Sequence, residues 1–123
     1  MAFPASDALV TAMEARLGRR LPEPHRQRLI RDNGGSVAAA EDTWTLHPVW
    51  DPTDRRTIAR TANHIVRETS TIRDALGDGF PPGAVAVGSN DGGDYLVLRP
   101  GHEDVEIWDH ETGQLVSADL DWG

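Results

Sequence analysis

Cysteine and lysine are both missing from this chain of 123 residues, and each absence excludes a class of chemistry. Without cysteine there can be no disulfide, no thiolate zinc site and no thiol nucleophile. Without lysine there can be no Schiff base and no lysine-based phosphate site. The absence of cysteine also fits a reducing compartment.

Long hydrophobic runs are absent as well. No stretch approaches the roughly 20 apolar residues that a membrane span needs, so we expect no membrane partner. The N-terminal residues MAFPASDALV lack the basic region and the apolar run of a secretory signal, which favours a cytoplasmic protein. The length suits one domain, and we expect residues 1–123 to form it.

The charges are divided unevenly along the chain. Residues 1–73 carry 11 arginines against 9 acids, whereas residues 74–123 carry 1 arginine against 11 acids. Phosphates would be repelled by the C-terminal part, which argues against a nucleic-acid partner. A basic protein would be attracted to it, and such steering raises association rates. Acidity that only keeps the protein soluble is the simpler alternative.

Two helices are predicted near the N-terminus. Val10, Met13 and Leu17 share one face of the first, which Ser6 or Asp7 can cap and Gly18 can end. The second begins around Pro22 to Pro24 and ends at Asn33-Gly34-Gly35. Its three arginines, Arg26, Arg28 and Arg31, are predicted to form a solvated face.

Strands dominate the rest of the chain after one long helical pattern. A strand is predicted at 43–46, and apolar residues at helical spacing predict a helix from 58 to 76, with Ser70 as a candidate break. Three β-prone runs and a possible fourth follow from 84 to 118, separated by Gly- and Asn-rich turns. The predicted fold is α+β, with the N-terminal helices and the long central helix on one face of an antiparallel sheet.

Several segments together resemble the SMI1/KNR4 family, also called the SUKH superfamily. They are EARLGRRLP, HRQRLIRDNGG, TWTLHPVW, FPPGAVAVGSNDGGDYLVL and VEIWDHETG, in this order, from about Glu14 to Val116. The resemblance implies an α+β fold without known catalytic residues. It also implies a link to immunity against polymorphic toxins, many of them nucleases, for a bacterial member. Family members commonly continue into another helix, and ending at 119–123 instead would leave a sheet edge or apolar patch open.

The polar residues offer one candidate metal set and no catalytic motif. The set Asp91, Asp94, His102, His110 and Glu111 has the side chains that hold metals. Turn chemistry explains the same residues, because Asn and Asp bond their own backbone and glycines supply positive φ. No serine lies in a nucleophile elbow, and no phosphate-binding fingerprint occurs. We expect no enzyme activity, no metal and no cofactor.

The run Val105–Asp109 gives the clearest functional prediction. Alternation places Val105 and Ile107 on the core face and Trp108 on the opposite face, among acids. An exposed tryptophan there would suit an interface hot spot, whereas a second small core is the structural alternative. We predict an immunity-type protein that binds a basic toxin domain, with a regulatory or scaffold module as the alternative and the oligomeric state open. The predicted partner-binding residues are Asp91, Asp94, Glu103, Asp104, Glu106, Trp108, Asp109 and Glu111.

Overall fold

The structure is a computed structural model that describes residues 4–40 and 42–122. It confirms the α+β fold. The helices are α1 (Asp7–Leu17), α2 (Glu23–Arg31), α3 (Arg55–Arg60) and α4 (Ile65–Leu76), followed by a short 3-10 turn at Gly77–Gly79. The strands are β1 (Ser36–Ala39), β2 (Asp42–Leu46), β3 (Val85–Ser89), β4 (Tyr95–Leu98), β5 (Glu106–Trp108) and β6 (Leu115–Ser117). They form one antiparallel sheet in the order β1-β2-β3-β4-β5-β6.

Helix α1 follows its sequence signals. The Ser6 side chain accepts a hydrogen bond from the Leu9 amide, and Gly18 ends the helix in the left-handed conformation at φ 77°. Val10 and Met13 are buried and Leu17 is half-buried, all packed in the main core. Capping chemistry and the apolar stripe therefore suffice to place this helix.

The predicted solvated face of α2 is wrong for two of its three arginines. Arg26 and Arg28 are only 5% and 8% exposed, while Arg31 is on the surface. Arg26 donates through Nε to both carboxylate oxygens of Glu14 at 3.1 Å and through a terminal nitrogen to Asp7 at 3.0 Å. Acids on α1 thus compensate its charge, which allows the guanidinium to be buried.

The predicted long central helix is two helices, and it breaks earlier than Ser70. Asp54 caps α3 in a capping box with Thr57, and α3 ends at Arg60. His64 caps α4 by accepting from the Arg67 amide, and the Ile65 amide donates to the Pro48 carbonyl at 2.9 Å. Ser70 lies exposed inside α4, where it does not interrupt the helix.

Side chains of helix α4 form hydrogen bonds with backbone groups at the start of β3, where β2 no longer pairs with it. The His47 amide still donates to the Val87 carbonyl at 2.9 Å, but the Val49 amide donates to the Asn33 side chain at 2.7 Å and not to β3. Thr69 instead accepts from the Ala86 amide at 2.9 Å, and Arg73 donates to the Ala84 carbonyl at 2.9 Å. This arrangement satisfies the polar backbone of a buried strand.

The apolar residues form two clusters, because β3 is buried on both faces. Val85 and Val87 belong to the main cluster, which also includes residues of α1 and α2. Ala84 and Ala86 belong to the smaller cluster. Helix α4 contributes Ile65 to the main cluster and Ile72 to the smaller one. The central helix therefore contacts more than the single core face that the sequence predicted.

The segment after β6 folds back toward β1. The Asp121 amide donates to the Ala38 carbonyl at 3.1 Å, forming an isolated antiparallel bridge. Trp122 stacks on the fully buried His25 ring with a centroid distance of 4.6 Å. This segment lies against β1, whereas β6 pairs with β5 alone among the named strands.

Within residues 4–40 and 42–122, no helix has the length and apolar character to cross a membrane.

Candidate functional site

The predicted partner-binding residues lie at two ends of the sheet. Turns between successive antiparallel strands alternate between ends, so the β3–β4 and β5–β6 turns are neighbours and the β4–β5 loop lies opposite them. We call the residues of the first end the turn acids: Asp91, Asp94, Asp109 and Glu111. We call those of the second end the loop acids: Glu103 and Asp104. The remaining two, Glu106 and Trp108, lie within β5.

Asn90 organises the β3–β4 turn. Its side-chain oxygen accepts from the amides of Gly92 and Asp94 at 3.1 and 2.9 Å. Its side-chain nitrogen donates to Asp42 at 3.0 Å. Asp42, which is not among the predicted partner-binding residues, is thereby placed beside the turn acids. The hairpin order of β1, β2 and β3 would have brought it to this end.

Asp94 and His110 join the two neighbouring turns. Asp94 Oδ1 lies 2.7 Å from His110 Nδ1 and also accepts from the His110 amide at 3.1 Å. The hydrogen bond from His110 lowers the pKa of the Asp94 carboxyl. The same bond raises the pKa of His110 above its ordinary value. The pair therefore favours a carboxylate beside an imidazolium.

The side chains of the proposed metal set are only partly brought together. Asp94 and His110 of that set, and Asp109, which the set did not include, place one ligand atom each within 4.8 Å of one another. His102 lies at the opposite end, where its Nδ1 is 3.1 Å from the Pro100 carbonyl. Asp109 accepts from the amides of Glu111 and Thr112, which is ordinary turn chemistry. Local hydrogen bonds thus account for the arrangement without a cation.

Of the two alternatives for Trp108, the second small core is confirmed and the exposed interface residue is wrong. Trp108 is 4% exposed and belongs to the smaller apolar cluster. It packs edge-to-face on Phe80 at 5.5 Å and stacks on Tyr95 at 6.2 Å. Alternation along β5 was predicted correctly, but the opposite face is covered by Phe80 and by Ile72 of α4. Trp108 is a core residue, and too little of its surface is accessible for it to anchor a partner.

Glu106 is also occupied within the chain. Its two carboxylate oxygens accept from Arg99 Nε and from a terminal nitrogen of Arg99, at 2.6 and 3.0 Å. The Glu106 side chain is 15% exposed. A bidentate pair of this kind leaves little charge for a partner.

Four of the eight predicted residues remain exposed and without an ion pair within the described residues. They are Asp91, Glu103, Asp104 and Glu111. The full charge of these carboxylates therefore faces solvent. They are the part of the predicted surface that is best suited to attract a cationic partner.

The comparison with family models decides the relationship. The model described as the SMI1 / KNR4 family (SUKH-1) matches residues 4–121. The chain belongs to the SMI1/KNR4 family. The search of curated proteins gave no match.

Residues in the segments that carry the SMI1/KNR4 resemblance stabilise the fold. Asn33 donates to the Val49 carbonyl at 2.8 Å and accepts from the Val49 amide at 2.7 Å. At Gly88, a Cβ atom would lie 2.9 Å from the Thr45 carbonyl oxygen. These positions allow β2 and β3 to approach closely and fix the loop after β2. Such SMI1/KNR4 motif residues therefore build the fold.

Proposed function

We propose that this chain is a non-catalytic immunity protein that neutralises a cognate toxin domain by direct binding. The main binding surface is formed by the turn acids, and the loop acids form a second contact at the opposite end of the sheet. The SMI1/KNR4 family match supports this function, because the resemblance links bacterial members to toxin immunity. The observation that carries the surface is the segregation of charge.

The turns at 89–94 and 109–114 contain no arginine, and His110 is their only basic residue. Asp42 adds a further carboxylate at the same end through its bond to Asn90. Such a concentration of one sign attracts a basic partner and increases its association rate. A nuclease domain is a suitable partner, since enzymes that act on nucleic acids carry cationic surfaces for phosphate.

The direct test is a calorimetric titration with the toxin domain encoded by the neighbouring reading frame. We expect tight binding that weakens with salt, because exposed charges are screened. The variant D91N/E111Q removes two turn-acid charges that form no salt bridge among the described residues. We expect it to weaken binding about ten-fold, mainly through slower association.

The matched control is D74N/D78N, which removes two exposed charges from α4 and the 3-10 turn. This control should bind within about two-fold of the parent protein, because its charges lie on other elements. Equal effects of the two variants would refute the surface assignment. Absence of binding, together with an isolated gene, would instead favour the regulatory or scaffold module.

A further inference from the structure

A groove of about 370 Å³ lies between the start of α2, the β4–β5 loop and the segment after β6. Its apolar lining includes Leu120 and Trp122, both half-buried against the main core. Four carboxylates also line it: Glu23, Glu103, Asp104 and Asp119. The volume greatly exceeds the roughly 30 Å³ of a water molecule, so a long side chain can enter.

The carboxylates of the groove are mostly uncompensated. Glu23 pairs loosely with Arg20, at 3.8 Å and on the surface. Glu103, Asp104 and Asp119 are exposed and have no ion pair within the described residues. A cation in the groove would therefore meet negative charge from two separate walls, the β4–β5 loop and the segment after β6.

Both walls are held in place by contacts that do not use these carboxylates. Arg19 donates to the carbonyls of Arg99 and His102, at 3.0 and 3.2 Å, and so ties the β4–β5 loop to the end of α1. The other wall is tied by Arg31, which donates to the Trp122 carbonyl at 3.1 Å, and by the stacking of Trp122 on His25. A site whose walls are already ordered loses little entropy on binding.

We propose that this groove binds an arginine side chain of the protein partner. The inference rests on the proposed function for the identity of that partner, but not for the chemistry of the site. A guanidinium presents several donors to carboxylates in a planar fork. It also packs favourably on an aromatic ring, and Trp122 lines the groove. An ammonium is more strongly hydrated and lacks the fork, so arginine suits the site better than lysine.

The test uses N-acetyl-arginine methylamide as the probe, added to the isotope-labelled full chain and followed by NMR. We expect saturable shifts at the backbone amides of Glu103, Asp104 and Asp119 and at the Trp122 indole. The citrulline analogue, which has nearly the same shape but no charge, should produce no saturable shift. Binding of citrulline or of the lysine analogue as tightly as arginine would overturn the proposal.

Two charge variants locate the site. D104N/D119N should weaken binding of the arginine probe by at least about five-fold, because one charge is lost from each wall. D74N/D78N removes the same net charge elsewhere and should leave the affinity within about two-fold. Equal affinities of both variants, or shifts confined to the turn acids, would contradict the assignment. The amide spectra also show whether each variant remains folded.

Failure of this proposal is distinguishable from failure of the proposed function. A chain that binds the arginine probe here but binds no toxin domain would refute the immunity function and retain the groove. A toxin domain that binds D104N/D119N as tightly as the parent protein would refute the groove as its contact and retain the immunity function.

Discussion

Replacing Glu14 with glutamine should be among the most destabilising single changes in this protein. The substitution keeps the size of the side chain and an oxygen that can accept from the Leu21 amide, a contact of 2.6 Å. It removes the charge that faces Arg26, and the side chains of both residues are only 6% exposed. The change therefore leaves a buried guanidinium with one carboxylate fewer.

The size of the effect follows from what remains around Arg26. Removing one partner of a buried ion pair costs about 3–5 kcal/mol of unfolding free energy. Asp7 still lies 3.0 Å from the guanidinium, but its side chain is 71% exposed and compensates only partly. We therefore expect a loss near the lower limit, about 3 kcal/mol. Urea unfolding, followed by tryptophan fluorescence, measures it as a lower midpoint with an unchanged slope.

The double variant E14Q/R26M provides the control. It removes the buried cation together with its partner, so it should be less destabilised than E14Q alone. The reasoning is refuted if E14Q costs less than about 1 kcal/mol, the value of an exposed pair. It is also refuted if the double variant is the less stable of the two.

Three further predictions follow from groups at the core and the turns. Burial, with Arg28 and Arg19 nearby, lowers the pKa of His25 to about 3; because the unfolded chain then binds a proton that the folded chain excludes, stability should fall by about 1.4 kcal/mol per unit as pH drops below about 6.5. Urea unfolding at several pH values between 7 and 4 gives the unfolding free energy as a function of pH. In H25L this free energy should depend on pH less steeply, by the equivalent of about one proton, and an equal pH dependence in both proteins would contradict the prediction. The pKa of His110, measured by NMR, should lie above 6.5 and should fall in D94N. The stabilisation from this pair should be complete below the pKa of His110 in the unfolded chain and should be lost as pH rises through its pKa in the folded chain. An unchanged His110 pKa in D94N would refute the role of Asp94. Trp108→Ala should cost about 3–5 kcal/mol of stability, and folded W108A at low temperature should still bind the partner; a stable variant that has lost binding would restore Trp108 as a contact residue.

Local signals were enough to predict most of the sheet. The turns around Asn90 and Gly113 carry residues that form turns by themselves, and β3 to β6 follow in the predicted order. For β1 the sequence favours neither a loop nor a short strand, because Ser36–Ala39 is rich in alanine and has weak strand preference. Its pairing with β2 supplies what its composition lacks.

The errors arose where a distant residue changes the environment. Charge alone predicts that the arginines of α2 are exposed. Arg26 is buried because its partner, Glu14, lies 12 positions earlier in the chain, where no local pattern reveals it. The alternation along β5 was correct, but it could not reveal that Phe80 covers Trp108. Alternation assigns side chains to faces and does not say which face is covered.

The exposure of the candidate-site residues could be predicted only in part, again because distant residues decide which side chains are covered or paired. The charge division was visible in the sequence, and Asp91, Glu103, Asp104 and Glu111 are exposed as the partner surface requires. The sequence could not show that Arg99 neutralises Glu106. Nor could it show that the predicted acids lie at opposite ends, because that depends on the order of strands in the sheet.

The bridge between Ala38 and Asp121 bears on how the chain reaches this fold. The hairpins of β3 to β6 join residues close in sequence, whereas this bridge joins positions 83 apart (121 − 38). Loop-closure entropy grows as the logarithm of length, so the bridge costs roughly 2 kcal/mol more to close than a loop of about 8 residues. The meander can therefore form early and act as a template. We therefore expect the N-terminal strand and the final segment to meet only after the meander has formed, as a late step in folding.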